Sequence, residues 1–296
     1  MDSVYLVHED YFIFKPKFNG LTSDYLDIIK QYSKLIFLNN NYSELRIIDR
    51  IHNNSNYVGS KFNQPFGNSL DKLTNLTQIA FGESFDVQLG NSLDKLTNLT
   101  HLTFGSFFNE PLANSLDQLT NLTHLTFGYR FNQPLSNSLD KLINLTHIIF
   151  GNEFNQPLAN SFDKLINLTQ ITFGNEFNQP LANSLDKLKK LEHLTLGYRF
   201  DQELYLLPNI KILTLDCNNQ NIVDNLPNSI EQLNLDHHSN LQLDNLPNSI
   251  KKISLYNSHY NNPLNNLSKS LEQLELPKNY KLEIKNIPSN CKIIYL

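Results

Sequence analysis

The chain has 296 residues, with 24 lysines and arginines against 29 aspartates and glutamates, a net charge of −5 and a pI near 6.0. That balance offers no basic field for nucleic acid, and no apolar run approaches the roughly 20 residues of a membrane span. The opening MDSVYLVHEDYF lacks the charged and apolar regions of a secretory leader, so a soluble, reduced, intracellular chain is expected, without cofactor or metal.

In the first residues, Tyr25, Leu26, Ile28, Ile29 and Tyr32 follow a helical period, with Thr22 or Ser23 as N-cap. They predict an amphipathic helix within Leu21–Leu38. Leu35-Ile36-Phe37 begins a degenerate unit, Leu45 falls near the place of an anchor leucine, and Tyr57-Val58-Gly59 stands 23 residues before Ala80-Phe81-Gly82. Residues 1–57 are therefore read as a cap with one helix and two eroded units, since terminal repeats must cover an exposed core.

From residue 58 to 205 a block of 23 residues recurs without slippage. Its anchor reads FNQPF at Phe62, FDVQL at Phe85, FNEPL at Phe108, FNQPL at Phe131, Phe154 and Phe177, and FDQEL at Phe200. Self-similarity at this period marks a solenoid of stacked units rather than a globular enzyme core. Within a unit, Leu122, Leu125 and Phe127 alternate with His124 and Thr126, the pattern of a half-buried strand. Gly82, Gly105, Gly128, Gly151, Gly174 and Gly197 end that strand, where a side chain would obstruct a bend. Two variable residues follow each glycine.

The anchor phenylalanines Phe62, Phe85, Phe108, Phe131, Phe154, Phe177 and Phe200 are expected to form a buried spine, joined by Phe81, Phe104, Phe127, Phe150 and Phe173. Asn63, Asn109, Asn132, Asn155 and Asn178, with Asp86 and Asp201 as substitutes, can stack into a ladder that satisfies turn backbone groups. On the return segment, Leu139, Leu142 and Leu145 recur every third residue and suit a tight 3₁₀-like turn, capped by Asn137 or Ser138. Repeated Asp–Lys pairs such as Asp140–Lys141 read as a solvated face. The tripeptide Asn-Leu-Thr fits a glycosylation acceptor but belongs to the repeat.

From 206 to 296 the period shortens. Strand motifs begin at Ile210, Ile230, Ile250, Leu271 and Cys291, spaced 20, 20, 21 and 20 residues apart, with Leu-Pro-Asn-Ser at Leu226 and Leu246. Eleven strand units follow from Leu76, which predicts a stack about 50 Å long. Cys217 and Cys291 fall about four turns apart, roughly 20 Å, too far for a disulfide. The fold class expected is an α/β-type repeat solenoid, leucine-rich-repeat-like, with one parallel strand per 20–23-residue unit and short helical or 3₁₀ return segments.

The FN-x-P-L anchor, LTHLTFG and LPNSI together resemble the FNIP-repeat proteins, a leucine-rich-repeat-like family of social amoebae and amoeba-infecting giant viruses. The match covers about Val58 to Leu296. The resemblance implies a protein-binding solenoid, in some members with an N-terminal box that recruits a ubiquitin ligase; Asp2–Arg50 lack that box's Leu-Pro opening.

No catalytic constellation rises above the repeat. His101, His124, His147 and His193 share one strand position, but a linear row does not converge on one ion as zinc requires, and His237-His238 reads as an exposed loop. The expected function is non-catalytic: an interaction scaffold for an unknown protein partner. The alternatives are a structural or assembly component and a ubiquitin-ligase adaptor with a diverged box. Thr-His-Leu-Thr recurs unchanged in two consecutive units whereas the same strand positions diverge in the shorter-period half, which puts the expected binding face at Glu231, Gln232, Asn234, Lys251, Lys252, Ser254, Glu272, Gln273 and Glu275. The terminal Cys291–Leu296 strand motif presents an expected edge for self-association.

Overall fold

A computed structural model describes residues 4–38, 61–204 and 209–296. They build one 14-stranded sheet whose strand order follows the chain. β1 (Tyr5–His8) and β2 (Tyr11–Phe14) form an antiparallel hairpin, and β2 pairs in parallel with β3 (Lys34–Phe37). The parallel series continues through β4 (Gln78–Ala80), β5 (His101–Thr103), β6 (His124–Thr126), β7 (His147–Ile149), β8 (Gln170–Thr172) and β9 (His193–Leu196). It is completed by β10 (Ile212–Leu215), β11 (Gln232–Leu235), β12 (Lys252–Leu255), β13 (Gln273–Leu276) and β14 (Lys292–Tyr295). The result is a parallel β-solenoid of leucine-rich-repeat type with little helix.

Register measures the units. Tyr11↔Lys34 and every step from β4 to β9 advance by 23 residues. Past β9 the partners are His193↔Ile212↔Gln232↔Lys252↔Gln273↔Lys292, steps of 19, 20, 20, 21 and 19. The last strand thus sits one residue off the motif spacing, which puts Ile293 and Tyr295 in line with the core residues Leu274 and Leu276.

The N-terminal region differs from its sequence reading. Instead of a helix through Leu21–Leu38 there is a 3₁₀ turn at Thr22–Tyr25, one α-helical turn, α1 (Leu26–Ile29), and then β3. Lys34–Phe37 supplies a strand between β2 and β4, and that pairing stops the helix. Lys34 pairs directly with Gln78, a step of 44, or 23 plus 21, so the sheet has no place for a further strand between them. Leu45 and Tyr57-Val58-Gly59 lie outside the described residues. The 23-residue period already begins at β2, whose unit carries its own anchor, Phe18-Asn19: Phe18 stacks on Phe62 at 5.8 Å.

Two aromatic columns fill the core of units 61–204. Successive rings from Phe62 to Phe200 lie 6.0–6.2 Å apart and within 7° of parallel. The column from Phe81 to Phe173 runs beside it, each ring stacked on the anchor four residues on, as for Phe127 and Phe131 at 4.0 Å. All are buried. Offset stacking adds to the burial energy, so each ring is held by its neighbours above, below and beside.

The return segments are chains of turns rather than helices. Ser138, Asp140, Leu142 and Leu145 each donate their backbone N–H to the carbonyl three residues earlier, at 2.9–3.1 Å. Spacing every third residue keeps Leu139, Leu142 and Leu145 on the buried side. The buried Ser115 hydroxyl donates back to the Leu112 carbonyl at 2.6 Å. The shorter half has one helical turn, α2 (Gln220–Asp224), and Pro227 and Pro247 open turns closed by the Ile230 and Ile250 N–H groups at 3.2 Å.

Three side-chain ladders lock the stack. In the first, the side-chain oxygen of each anchor Asn or Asp accepts the backbone N–H of the next, at 2.9 Å from Asn63 to Asp201, with Asn19 supplying an earlier rung. Gln156, Gln179 and Gln202 donate to the same oxygens at 3.0–3.1 Å. In the second, Asn98, Asn121, Asn144 and Asn167 donate to the return carbonyl of the unit below at 2.8–2.9 Å. In the third, Thr100, Thr123, Thr146 and Thr169 hydroxyls each donate to the preceding threonine carbonyl at 3.0 Å. Without these partners the irregular backbone between strands would be buried and unsatisfied.

Candidate functional site

Three surfaces are open to a partner: the outer face of the strands, the rim that follows them, and the return side. On the strand face the register aligns Gln78, His101, His124, His147, Gln170 and His193. The three central imidazoles stack at 4.2 Å and 9°. Each Nδ1 lies 2.8–2.9 Å from the preceding threonine hydroxyl. Those hydroxyls already donate to carbonyls, so the imidazole Nδ1–H must be the donor and Nε2 is left as an acceptor. Burial, reinforced by the charges of Lys34 and His147, lowers His101 below its usual range. Burial and the two flanking imidazoles lower His124 to about 4, and burial with His193 nearby lowers His147. These three stacked imidazoles are neutral near pH 7. Among the described residues no group of three or more His, Cys, Asp or Glu is placed to hold a metal.

In the shorter half the first strand-face column alternates in charge: Glu192, Lys211, Glu231, Lys251 and Glu272. Lys211 bridges Glu192 at 2.6 Å and Lys251 bridges Glu231 at 2.8 Å, all largely exposed. Gln232, Lys252 and Gln273 are half-buried beside them. Asn234, Ser254 and Glu275, expected on an exposed binding face, are instead buried. They are consumed internally: Asn234 Nδ2 donates to Thr214 Oγ1 at 3.0 Å, and Asn234 Oδ1 accepts from Gln232 Nε2 at 2.9 Å. Ser254 Oγ and Gln273 Nε2 both donate to Glu275 at 2.6 Å, and Lys252 Nζ bridges it at 2.9 Å. Burial opposes ionisation of Glu275, but these hydrogen bonds outweigh it and hold its carboxyl below the usual value. The cause is geometric: the longer side chains of the adjoining column fold inward to satisfy a polar group that parallel stacking has covered.

The rim is made by the two residues after each glycine: Glu83-Ser84, Ser106-Phe107, Tyr129-Arg130, Asn152-Glu153, Asn175-Glu176 and Tyr198-Arg199. It has its own backbone ladder. The Phe107, Arg130, Glu153, Glu176 and Arg199 N–H groups each donate to the rim carbonyl of the unit below at 2.8–2.9 Å. The glycines permit this approach: a Cβ on Gly128 would stand 1.8 Å from the Gly105 carbonyl oxygen. Arg130 lies over the Phe107 ring at 4.3 Å, and Arg199 bridges Glu176 at 3.0 Å. Tyr198 packs at 4.9 Å from His238, whose Nδ1 meets Asp216 at 2.9 Å. Sequence reasoning looked for recognition on the strands and passed over this rim, although its variation between otherwise near-identical units was the available signal.

The fold and these surfaces define a repeat protein of leucine-rich-repeat architecture. Three solved structures share it. The chain aligns over 99% of its length, at 24% identity and a TM-score of 0.65, with half of the giant-virus protein CroV588, a circular leucine-rich-repeat protein. It aligns over 96% with 86% of the internalin inlF of Listeria monocytogenes, at 14% identity and a TM-score of 0.57. It also aligns over 97% with 43% of a chain of the Drosophila Toll–Spätzle complex, at 16% identity and a TM-score of 0.61. The chain therefore spans about half the length of CroV588 and less than half of the Toll–Spätzle chain. No protein-family model matches the chain, and no curated protein sequence does. Among the described residues no helix is long and apolar enough to cross a membrane.

Proposed function

We propose that this chain is a non-catalytic protein-interaction scaffold of the FNIP-repeat kind, working inside the cell. The observation that carries this reading is the ladder-locked stack, which presents long rows of side chains without a catalytic constellation among the described residues. The architecture it shares with a chain of the Toll–Spätzle complex agrees with a protein partner. The buried free thiol of Cys217 and the free Cys291 suit a reducing compartment. The FNIP resemblance and the likeness to CroV588 point to an amoebal or giant-virus setting. An adaptor role through a diverged N-terminal box draws no support from residues 4–38, because the hairpin and β3 are spent on the solenoid's own sheet. The test is affinity capture from amoebal lysate with cross-linking. A saturable partner at fixed stoichiometry supports the scaffold, and recovery of this chain alone contradicts it.

A second reading, assembly through the outer edge of β14, is favoured by one observation. Ile293 and Tyr295 continue the core columns, yet they and Leu296 are exposed, Tyr295 by 54%. Among the described residues β14 has no partner strand on its outer side, and such an edge templates pairing with another chain. Sedimentation of the wild type and of an Ile293→Lys, Tyr295→Glu variant checks it: association that the substitutions weaken supports this reading, and a monodisperse monomer in both contradicts it.

A further inference from the structure

We propose that the rim between Phe107 and Tyr198 is the recognition surface, taking an extended protein segment that sets a carboxylate against Arg130 and apolar side chains against Phe107 and Tyr129. This rests on the scaffold reading above and gives it a place and a ligand chemistry.

Four observations converge. Between residues 61 and 204 core, ladder and strand-face residues are nearly constant, whereas the six rim pairs are of four kinds: Glu-Ser, Ser-Phe, Tyr-Arg twice and Asn-Glu twice. A surface that serves only packing has no cause to vary there. The rim also gathers the residue types that dominate interface cores, tyrosine and arginine. Tyr129 is 52% exposed and Tyr198 49%, Phe107 is exposed as well, and both arginines among the described residues, Arg130 and Arg199, stand here. The backbone ladder and the glycine contacts hold these side chains on a rigid base, so little ordering is lost on binding.

Charge distinguishes the two arginines. Arg199 already holds Glu176 at 3.0 Å, whereas Arg130 rests on the Phe107 ring and has no carboxylate within ion-pair distance among the described residues. A guanidinium supported from below by an aromatic face presents its N–H groups outward, in the geometry that takes a carboxylate bidentately. The rungs follow one another at about the strand spacing of 4.8 Å, a line rather than a pocket, which fits an extended segment.

A random-peptide phage library panned on the full chain tests this, with recovered peptides resynthesised and titrated on wild type, Arg130→Glu, Tyr129→Ala, His124→Gln and Ile166→Thr. Acidic–apolar peptides are expected, weakened roughly tenfold or more by either rim substitution, as for interface hot spots. Binding should be unchanged by the strand-face and return-side substitutions, and lost when the peptide carboxylate is converted to an amide. Circular dichroism confirms that the exposed rim variants fold; if Arg130→Glu does not, Arg130→Gln replaces it. Peptides indifferent to both rim substitutions, or basic ones, overturn the rim while leaving the scaffold reading standing. A library that yields no peptide preferring folded over heat-unfolded chain overturns both.

Discussion

Residues 61–204 and 209–296 make the same solenoid by different means. The first stretch fills all but its last unit with two column phenylalanines and ties neighbouring units with repeated amide and hydroxyl rungs, so nearly every position is fixed by its copy above and below. The second has no phenylalanine. At the anchor turn it places Ser239, Tyr260 and Tyr280, and the tyrosine hydroxyls donate to the Leu241 and Asn262 carbonyls at 2.9 and 3.0 Å. Its shorter units satisfy their polar groups through individual pairs, such as Glu275 with Ser254, Lys252 and Gln273. A repeated ladder demands one residue type at one position, and individual pairing tolerates diversity. The 23-residue stretch is thus nearly uniform on its strands and varies more on its rim and return side, whereas the shorter stretch varies on its strands because those residues compensate one another.

The largest expected effect is on the aromatic columns. Phe131→Ala should cost about 3–5 kcal/mol by denaturant unfolding, since the ring is fully buried between two stacked neighbours. A loss below about 1 kcal/mol would contradict the register. Next comes Gly128→Ala, whose Cβ would meet the Gly105 carbonyl oxygen at 1.8 Å. The backbone of two units must part to admit it, at about 1–3 kcal/mol. Asn132→Ala should cost about 1–2 kcal/mol, because the Asn155 N–H and the Gln156 amide lose their acceptor. Asn132→Asp should be close to neutral, as Asp86 already serves as a rung.

A smaller effect separates units within the first stretch. Gly67 and Gly90 adopt φ of 52° and 51°, and the equivalent Ala113, Ser136 and Ala159 are held at 44–46°. Gly90→Ala should cost about 1 kcal/mol, while Ala113→Gly should raise Tm. The smallest effect is acid sensitivity. His101, His124 and His147 are harder to protonate in the folded chain than the ordinary 6.5, so the unfolded chain takes up protons first. Their contribution is complete above about pH 6.5 and is lost as pH falls towards 4. Replacing all three by glutamine, which Gln78 and Gln170 show to fit, should flatten the fall in Tm between pH 7 and pH 4.5.

The regular part of the fold was legible because each unit is evidence for every other: one phenylalanine in a turn is ambiguous, and seven in register are not. The cap was not, because its signals conflict locally. Leu26, Ile28, Ile29 and Tyr32 fit a helical period, but Leu35, Ile36 and Phe37 are claimed by pairing with β2 and β4, and a non-local contact overrides a weak local preference. The β1–β2 hairpin turns on Glu9, at φ 48°, without the glycine that usually announces such a turn. The rung at Asn19 was hidden because the next anchor lies 44 residues on. The burial of Asn234, Ser254 and Glu275 escaped for another reason: alternation shows which face a residue occupies, not how closely its neighbours fold over it.

The most direct test of this register is native-state hydrogen exchange at the backbone N–H groups of Asp86, Asn109, Asn132, Asn155, Asn178 and Asp201. None lies in a strand, and each donates to the side-chain oxygen of the unit below, at 2.9 Å. Exchange as slow as that of the neighbouring β6 and β7 amides is expected, with Asn155 accelerating selectively in Asn132→Ala. Loop-like rapid exchange at these six positions in the wild type would contradict the ladder, and with it the stacking register from which every surface described above is read.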